Sequence, residues 1–272
     1  MTDTLHLERP SGRLAYDDRG TGPLVIAMTG MGALRSQYDA LADALVAAGY
    51  RIVTVDARGF GESSADWNDY RKQALAEDYL ALVHHLDAGP AVLVASSYSA
   101  GAATTAAVLE PASVRGIVLL GGVIRTVPPG FMGRLMLRIV ASAPGRLLWR
   151  PYYSGLYPSV KPEGFAEHLD VLTANLKEPG RWAALGAMLA SDNAATDALV
   201  DRVAVPALVI YGDKDADFPD VAAEVAYAQE RFAGPTESLI LPGLGHYPHA
   251  ERPDLVLPVI VEFVERTCRA LA

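Results

Sequence analysis

Six stretches of the chain are apolar at nearly every position: PLVIAMTG (Pro23–Gly30), RIVTVD (Arg51–Asp56), AVLVAS (Ala91–Ser96), VRGIVLLGG (Val114–Gly122), ALVIYGD (Ala207–Asp213) and ESLILPG (Glu237–Gly243). Each is short, rich in Val, Ile and Leu, and stopped by Gly, Asp or Ser, the pattern of strands covered on both faces. Two earlier runs, LHLER and RLAYDDRG, instead alternate apolar and polar positions, as in a half-exposed hairpin at a sheet edge. Helical patterns fill the intervals over Ser36–Ala48, Arg71–Leu86, Ala100–Leu109, Val221–Phe232 and Pro253–Leu271. Strands alternating with helices predict an α/β fold, a mostly parallel eight-stranded sheet with helices on both faces. Ligands then sit beyond the carboxyl ends of the strands.

One interval departs from this alternation. From Arg125 to Ala204 no strand-like run occurs, only helical patterns punctuated by VPPG, SAPG, YPSVKPEG and KEPG. In FMGRLMLRIV the residues Phe131, Met132, Leu135, Met136, Ile139 and Val140 fall on one helical stripe. The expected organisation is a core of residues 1–124 and 205–272, with a helical cap, residues 125–204, inserted over the strand ends.

Composition narrows the function classes. The 272 residues are 51% apolar and 20% charged, enough for a large core, and the net charge of −9 argues against nucleic acid as a partner. The single cysteine, Cys268, has no internal disulfide partner, and no Cys/His cluster has metal-ligand spacing, so neither a metal nor another cofactor is expected. The first residues lack a basic start followed by an apolar run, and no stretch is long enough to span a bilayer, so the expected location is cytoplasmic.

The chemistry is concentrated where AVLVAS meets the next helix. Ser97-Tyr98-Ser99-Ala100-Gly101 stands at a strand-to-helix turn, the place of the G-x-S-x-G nucleophile elbow. With Gly101 in the second glycine position and Ser97 in the first, Ser99 is the expected nucleophile, while Ser96 and Ser97 read as capping residues. A serine hydroxyl needs an imidazole to take its proton. His246, in the Gly-rich stretch LPGLGHYPHAERP after the last strand, is the expected base, with His249 its rival as a helix-entry residue. His6, His84, His85 and His168 read as structural.

With these residues in hand the chain resembles the α/β-hydrolase fold family over nearly its full length, through MTGMG, DARGFGESS, SYSAG, GDKDADFP and GLGHYPHAERPD. The resemblance implies a helical lid and a Ser-His-Asp triad in the order Ser99, Asp215, His246. The family pattern of Gly, two residues, Asp, three residues, Pro is matched by Gly212, Asp215 and Pro219, which leaves Asp213 and Asp217 as loop-capping or solvated carboxylates. It also implies an oxyanion hole from the backbone N–H groups of Ala100 and Met31, although Thr29-Gly30 stands where relatives commonly have His-Gly. Asp56 and Arg58 read as loop ties, and Gly59 and Gly61 as a tight turn.

The implied reaction is hydrolysis of a carboxylic ester or lactone with an apolar acyl or ring moiety through an acyl-enzyme, acting on a small molecule in a pocket that includes Tyr98, Phe131, Leu135, Trp149, Tyr153 and Trp182. A thioesterase or carbon–carbon bond hydrolase on the same triad is the alternative, and a ligand-binding receptor with little turnover is the alternative of another class. Between Arg125 and Lys161 the charges are Arg125, Arg134, Arg138, Arg146, Arg150 and Lys161, with no Asp or Glu. This basic face reads as a solvated surface or as a site for an anionic acyl group or an acidic acyl-carrier protein.

Overall fold

A computed structural model describes residues 4–125 and 145–269. Among these, eight strands form one sheet: β1 (Leu5–Arg9), β2 (Gly12–Arg19), β3 (Leu24–Met28), β4 (Arg51–Val55), β5 (Ala91–Ser96), β6 (Val114–Leu120), β7 (Ala207–Gly212) and β8 (Thr236–Leu241). Their spatial order is β1-β2-β4-β3-β5-β6-β7-β8. β1 pairs antiparallel with β2 and β2 antiparallel with β4, while every other pair is parallel. The alternating runs therefore form the edge hairpin and the continuous apolar runs the parallel centre.

The period of two within each strand sorts the core into two layers. Leu24, Ile26, Met28, Leu93 and Ala95 face the layer shared with Leu75, Tyr79 and Leu82 of α2 (Lys72–Leu86) and the alanines of α3 (Ser99–Leu109). Val25, Ala27, Val92, Val94, Leu208 and Ile210 face the other layer, with Leu41 and Leu45 of α1 (Asp39–Ala47) and, from the long C-terminal helix (Pro253–Arg269), Ile260 and Phe263. Each such aliphatic side chain gains about 1.5–3 kcal/mol from leaving water, so both helical layers are clamped to the sheet.

Between β6 and β7 the described residues are helical, as the absence of strand pattern predicts. They form α4 (Arg146–Gly155), α5 (Phe165–Asn175), α6 (Arg181–Ala190) and the short α7 (Ala194–Asp197). Two helices follow on either side of β8: α8 (Val221–Arg231), capped by the Asp220 carboxylate accepting from Ala223 N at 3.0 Å, and the single turn α9 (Pro248–Glu251), which leads into α10, the long C-terminal helix. Leu169, Leu172, Leu176, Trp182, Leu185 and Met188 bury their side chains in the α2/α3 layer, so the insertion is continuous with the core beneath it.

The loop expected to be structural is so. Arg58 donates to both oxygens of Asp78 at 2.7 Å and to the carbonyls of Asp69 and Ala74, with Trp67 under its guanidinium at 4.3 Å. Asp56 accepts from the amides of Arg35 at 2.7 Å and Glu62 at 3.0 Å.

Candidate active site

The strand-to-helix turn settles which serine occupies its apex. β5 ends at Ser96 and α3 begins at Ser99, so the chain reverses at Ser97 and Tyr98. Ser97 has φ +53°, in the left-handed region that a side chain enters only at a strain of about 1–3 kcal/mol. That strain is held by three main-chain bonds: Ser97 N donates to Leu120 O at 3.0 Å, and Ser97 O accepts from Val123 N at 2.9 Å and Ala100 N at 3.1 Å. Gly30 presses on the same turn, for a Cβ there would stand 2.6 Å from Ser97 Cβ.

Two expectations are corrected by this geometry. Ser99 is not at the apex: it lies in the first helical turn, with no exposed surface, and its hydroxyl donates to Met28 O at 2.8 Å and Ser96 O at 2.9 Å. It fastens the ends of β3 and β5 together. Ala100 N is likewise committed to Ser97 O and is not available to an incoming oxygen. The amides next in line are those of Tyr98, directly after Ser97, and Met31, in the loop after β3. Neither donates to any group among the described residues. Ser96 Oγ accepts from Gly30 N at 3.2 Å, so a serine supports the loop at the point where Thr29 replaces the expected histidine. The small residues two before and two after the apex are Ala95 and Ser99, a signal present in the sequence but masked by the more conspicuous Gly101.

His246 lies in the loop between β8 and α9, its N–H bound to Leu156 O of the insertion at 3.0 Å. Its Nδ1 meets Asp215 Oδ2 at 2.8 Å, and both side chains are fully buried. A carboxylate at Nδ1 fixes the tautomer with a free acceptor at Nε2, the requirement for a general base. The structure brings this pair beside the serine turn through Gly121. A Cβ on Gly121 would stand 3.1 Å from His246 Nδ1 and 3.3 Å from Asp215 Oδ2, and Leu120 just before it and Val123 two residues after it hold the Ser97 backbone. His246 Nε2 makes no hydrogen bond, so the contact to a serine hydroxyl is unmade in this state. Such bonds are often long without substrate. Burial of the imidazole opposes protonation, but Asp217 and Asp215 overcome it and hold the pKa above the ordinary 6.5.

Asp217 departs from the expectation of a solvated loop carboxylate. Its Oδ2 lies 3.7 Å from His246 Nε2, and its two oxygens accept from the Tyr152 hydroxyl at 2.7 and 2.9 Å. Nothing in the sequence pairs Asp217 with a tyrosine 65 residues away. Asp215, Asp217 and His246 bring three potential ligand atoms within 4.8 Å of one another, but Asp215 Oδ2 and His246 Nδ1 are bound to each other, and a cation there would have to break that bond. His249, the rival base, is buried against Tyr38 and has a pKa lowered to about 3, because burial and the neighbouring His246 disfavour its charge.

Of the expected pocket residues, Trp149, Tyr153 and Trp182 are buried in the insertion, and Trp149 lies directly over Gly32, next to Met31. Tyr98 turns away, its hydroxyl donating to Tyr70 O at 3.0 Å. Phe131 and Leu135 lie outside the described residues, as do Arg134 and Arg138 of the basic face. Arg125 is paired with Glu224 at 2.9 Å, Arg150 is paired with Asp170, and Lys161 donates to the carbonyls of Ser154 and Tyr157.

Comparison with known proteins sets this chain in a family. The model described as "Alpha/beta hydrolase family" matches residues 24–259. A protein of Mycobacterium tuberculosis named as a non-heme bromoperoxidase, BpoC, is 38% identical over 108 residues, 39% of this chain; the match spans only 41% of that relative's length. A probable esterase of Oryza sativa subsp. japonica is 25% identical over 262 residues, covering 90% of this chain and 93% of that one. The crystal structure of a bromoperoxidase from Bacillus anthracis superposes with a TM-score of 0.84 at 19% identity, covering 97% of this chain and all of that one, a likeness of fold.

Proposed function

The chain belongs to the alpha/beta hydrolase family, and from that premise we propose that it is a serine hydrolase cleaving carboxylic esters or lactones through an acyl-enzyme, with Ser97 as nucleophile, His246 as general base and Asp215 as the acid that orients it. The observation that carries this reading is the strained backbone of Ser97 at the strand-to-helix apex, beside a buried His246–Asp215 pair. Strain of this kind persists only where the surrounding structure over-determines it, and such positions cluster at active sites.

In this mechanism His246 Nε2 takes the Ser97 proton as the hydroxyl attacks the ester carbonyl, and the amides of Tyr98 and Met31 receive the negative charge on the carbonyl oxygen. The imidazolium then gives its proton to the departing alcohol. Water, deprotonated by His246, attacks the acyl-enzyme and releases the acid. The buried aromatic side chains of Trp149, over Gly32 beside Met31, and of Tyr153 favour an apolar acyl or ring moiety. No helix among the described residues is long and apolar enough to cross a membrane.

The test is labelling with a fluorophosphonate followed by peptide mapping, together with turnover of 4-nitrophenyl butyrate. The adduct is expected on Ser97, with turnover lost by at least about 10³-fold in Ser97→Ala and retained in Ser99→Ala. An adduct on Ser99, or equal turnover in wild type and Ser97→Ala, would overturn the assignment.

A further inference from the structure

His246 Nε2 is the atom through which the proposed reaction passes its proton, and among the described residues a charged atom close to it is not part of the triad. Asp217 Oδ2 stands 3.7 Å away. The carboxylate is held there from two sides: Tyr152 of α4 donates to both of its oxygens, and the Asp217 amide donates to Asp215 Oδ1 at 3.0 Å. It therefore reaches its position through one bond to the triad acid and one to the inserted helices. Its side chain is 28% exposed, whereas His246 and Asp215 are fully buried, so Asp217 is the member of the group that faces the open side.

The proton leaving Nε2 is delivered to the leaving-group oxygen, so a group this close to Nε2 lines the leaving-group side of the site. Resting on the hydrolase reading above, we infer that Asp217, positioned by Tyr152, is a specificity-determining residue that directs the enzyme to esters whose leaving group is neutral or cationic and disfavours those bearing a carboxylate. A negative substituent a few ångströms from Asp217 meets like-charge repulsion, which at a partly exposed position amounts to about a tenfold loss. A positive or neutral one does not.

No other charge around His246 cancels this one among the described residues. From its own loop, Asp213 lies with Lys214 at 3.6 Å, and Lys214 is exposed. From α9, His249 is neutral, and Glu251 is turned to the Gly245 amide at 2.6 Å and to Ser159. From the end of β6, Arg125 is bound to Glu224. From α4 comes only the uncharged Tyr152. Removing the Asp217 charge should also lower the His246 pKa, since that carboxylate, with Asp215, raises it against the effect of burial. The neutral, basic form then persists to lower pH, and the acid limb of kcat/KM moves down.

The experiment compares 4-nitrophenyl butyrate with 3-carboxy-4-nitrophenyl butyrate, which share an acyl group and differ in one leaving-group charge. kcat/KM is measured from pH 5 to 9 in wild type, Asp217→Asn, Asp217→Glu and Tyr152→Phe, with Ser97→Ala as control. Asp217→Asn is expected to raise the anionic-to-neutral ratio about tenfold and to move the acid limb down. Asp217→Glu should keep the wild-type ratio, and Tyr152→Phe should fall between. An unchanged ratio in Asp217→Asn overturns the inference. If Ser97→Ala turns over as fast as wild type, the serine reading is what has failed. The charge relation is then decided by NMR titration of His246 in the resting protein: a lower pKa in Asp217→Asn sustains it and an unchanged one overturns it.

Discussion

His249 offers a measurement of the core that does not depend on the reaction. Its ring is stacked on Tyr38 with centroids 5.4 Å apart and meets Tyr247 edge-on at 6.1 Å, and neither nitrogen has a hydrogen-bond partner among the described residues. Burial and the nearby His246 lower its pKa from 6.5 to about 3. Above pH 6.5 the ring is neutral in both folded and unfolded chains and contributes no pH dependence. Below it the unfolded chain takes up a proton that the folded chain refuses until about pH 3. Stability attached to this residue is thus lost as pH falls, by about 1.4 kcal/mol per pH unit. Between pH 6.5 and 5 that amounts to about 2 kcal/mol, or roughly 4–8 °C in Tm for a chain of this size. His249→Phe preserves the stacked ring and removes the titration. Calorimetry of both proteins at pH 7.5 and 5.0 isolates the effect, because the carboxylates common to both cancel and any packing penalty of phenylalanine is the same at each pH. The wild type should lose about 2 kcal/mol more than the variant on acidification. Parallel losses would refute the account of His249 as a buried neutral base.

Two further outcomes follow from buried ion contacts. Asp215→Asn replaces the acceptor at His246 Nδ1 with a group that can donate, favouring the tautomer whose Nε2 is blocked; kcat for 4-nitrophenyl butyrate should fall about 10³–10⁴-fold with KM little changed, and a loss under about tenfold would dismiss Asp215 as the orienting acid. Arg58→Leu strands Asp78, whose side chain is fully buried, with only the longer 3.3 Å contact to Arg9; urea unfolding should show a loss of about 3–5 kcal/mol. A loss below about 1 kcal/mol would mean that water reaches the carboxylate.

The sheet was legible because its central strands are buried on both faces, which writes them as unbroken apolar runs, and because the edge hairpin alternates. The site was legible only in part. Asp215 and His246 follow their strands at intervals the sequence displays, but the serine at the apex of the turn stands two residues before the one the motif points to. Gly101 attracts the G-x-S-x-G pattern, whereas the apolar run ends at Ser96, and a turn that begins there puts Ser97 at its apex and Ser99 already inside the helix. The end of the apolar run at Ser96, rather than Gly101, marks where the turn begins. The pairing of Tyr152 with Asp217 was beyond reach, since it depends on how an inserted helix lies over a loop from another part of the chain.

The hydroxyl of Ser99 ties the last carbonyl of β3 to the last carbonyl of β5. The Met31 loop departs from the first of those strand ends and the Ser97 turn from the second, so the gap between them is set by the sheet itself and needs no guest to define it. A gap built in this way has no softer melting point of its own, for it opens only when the ends of β3 and β5 part.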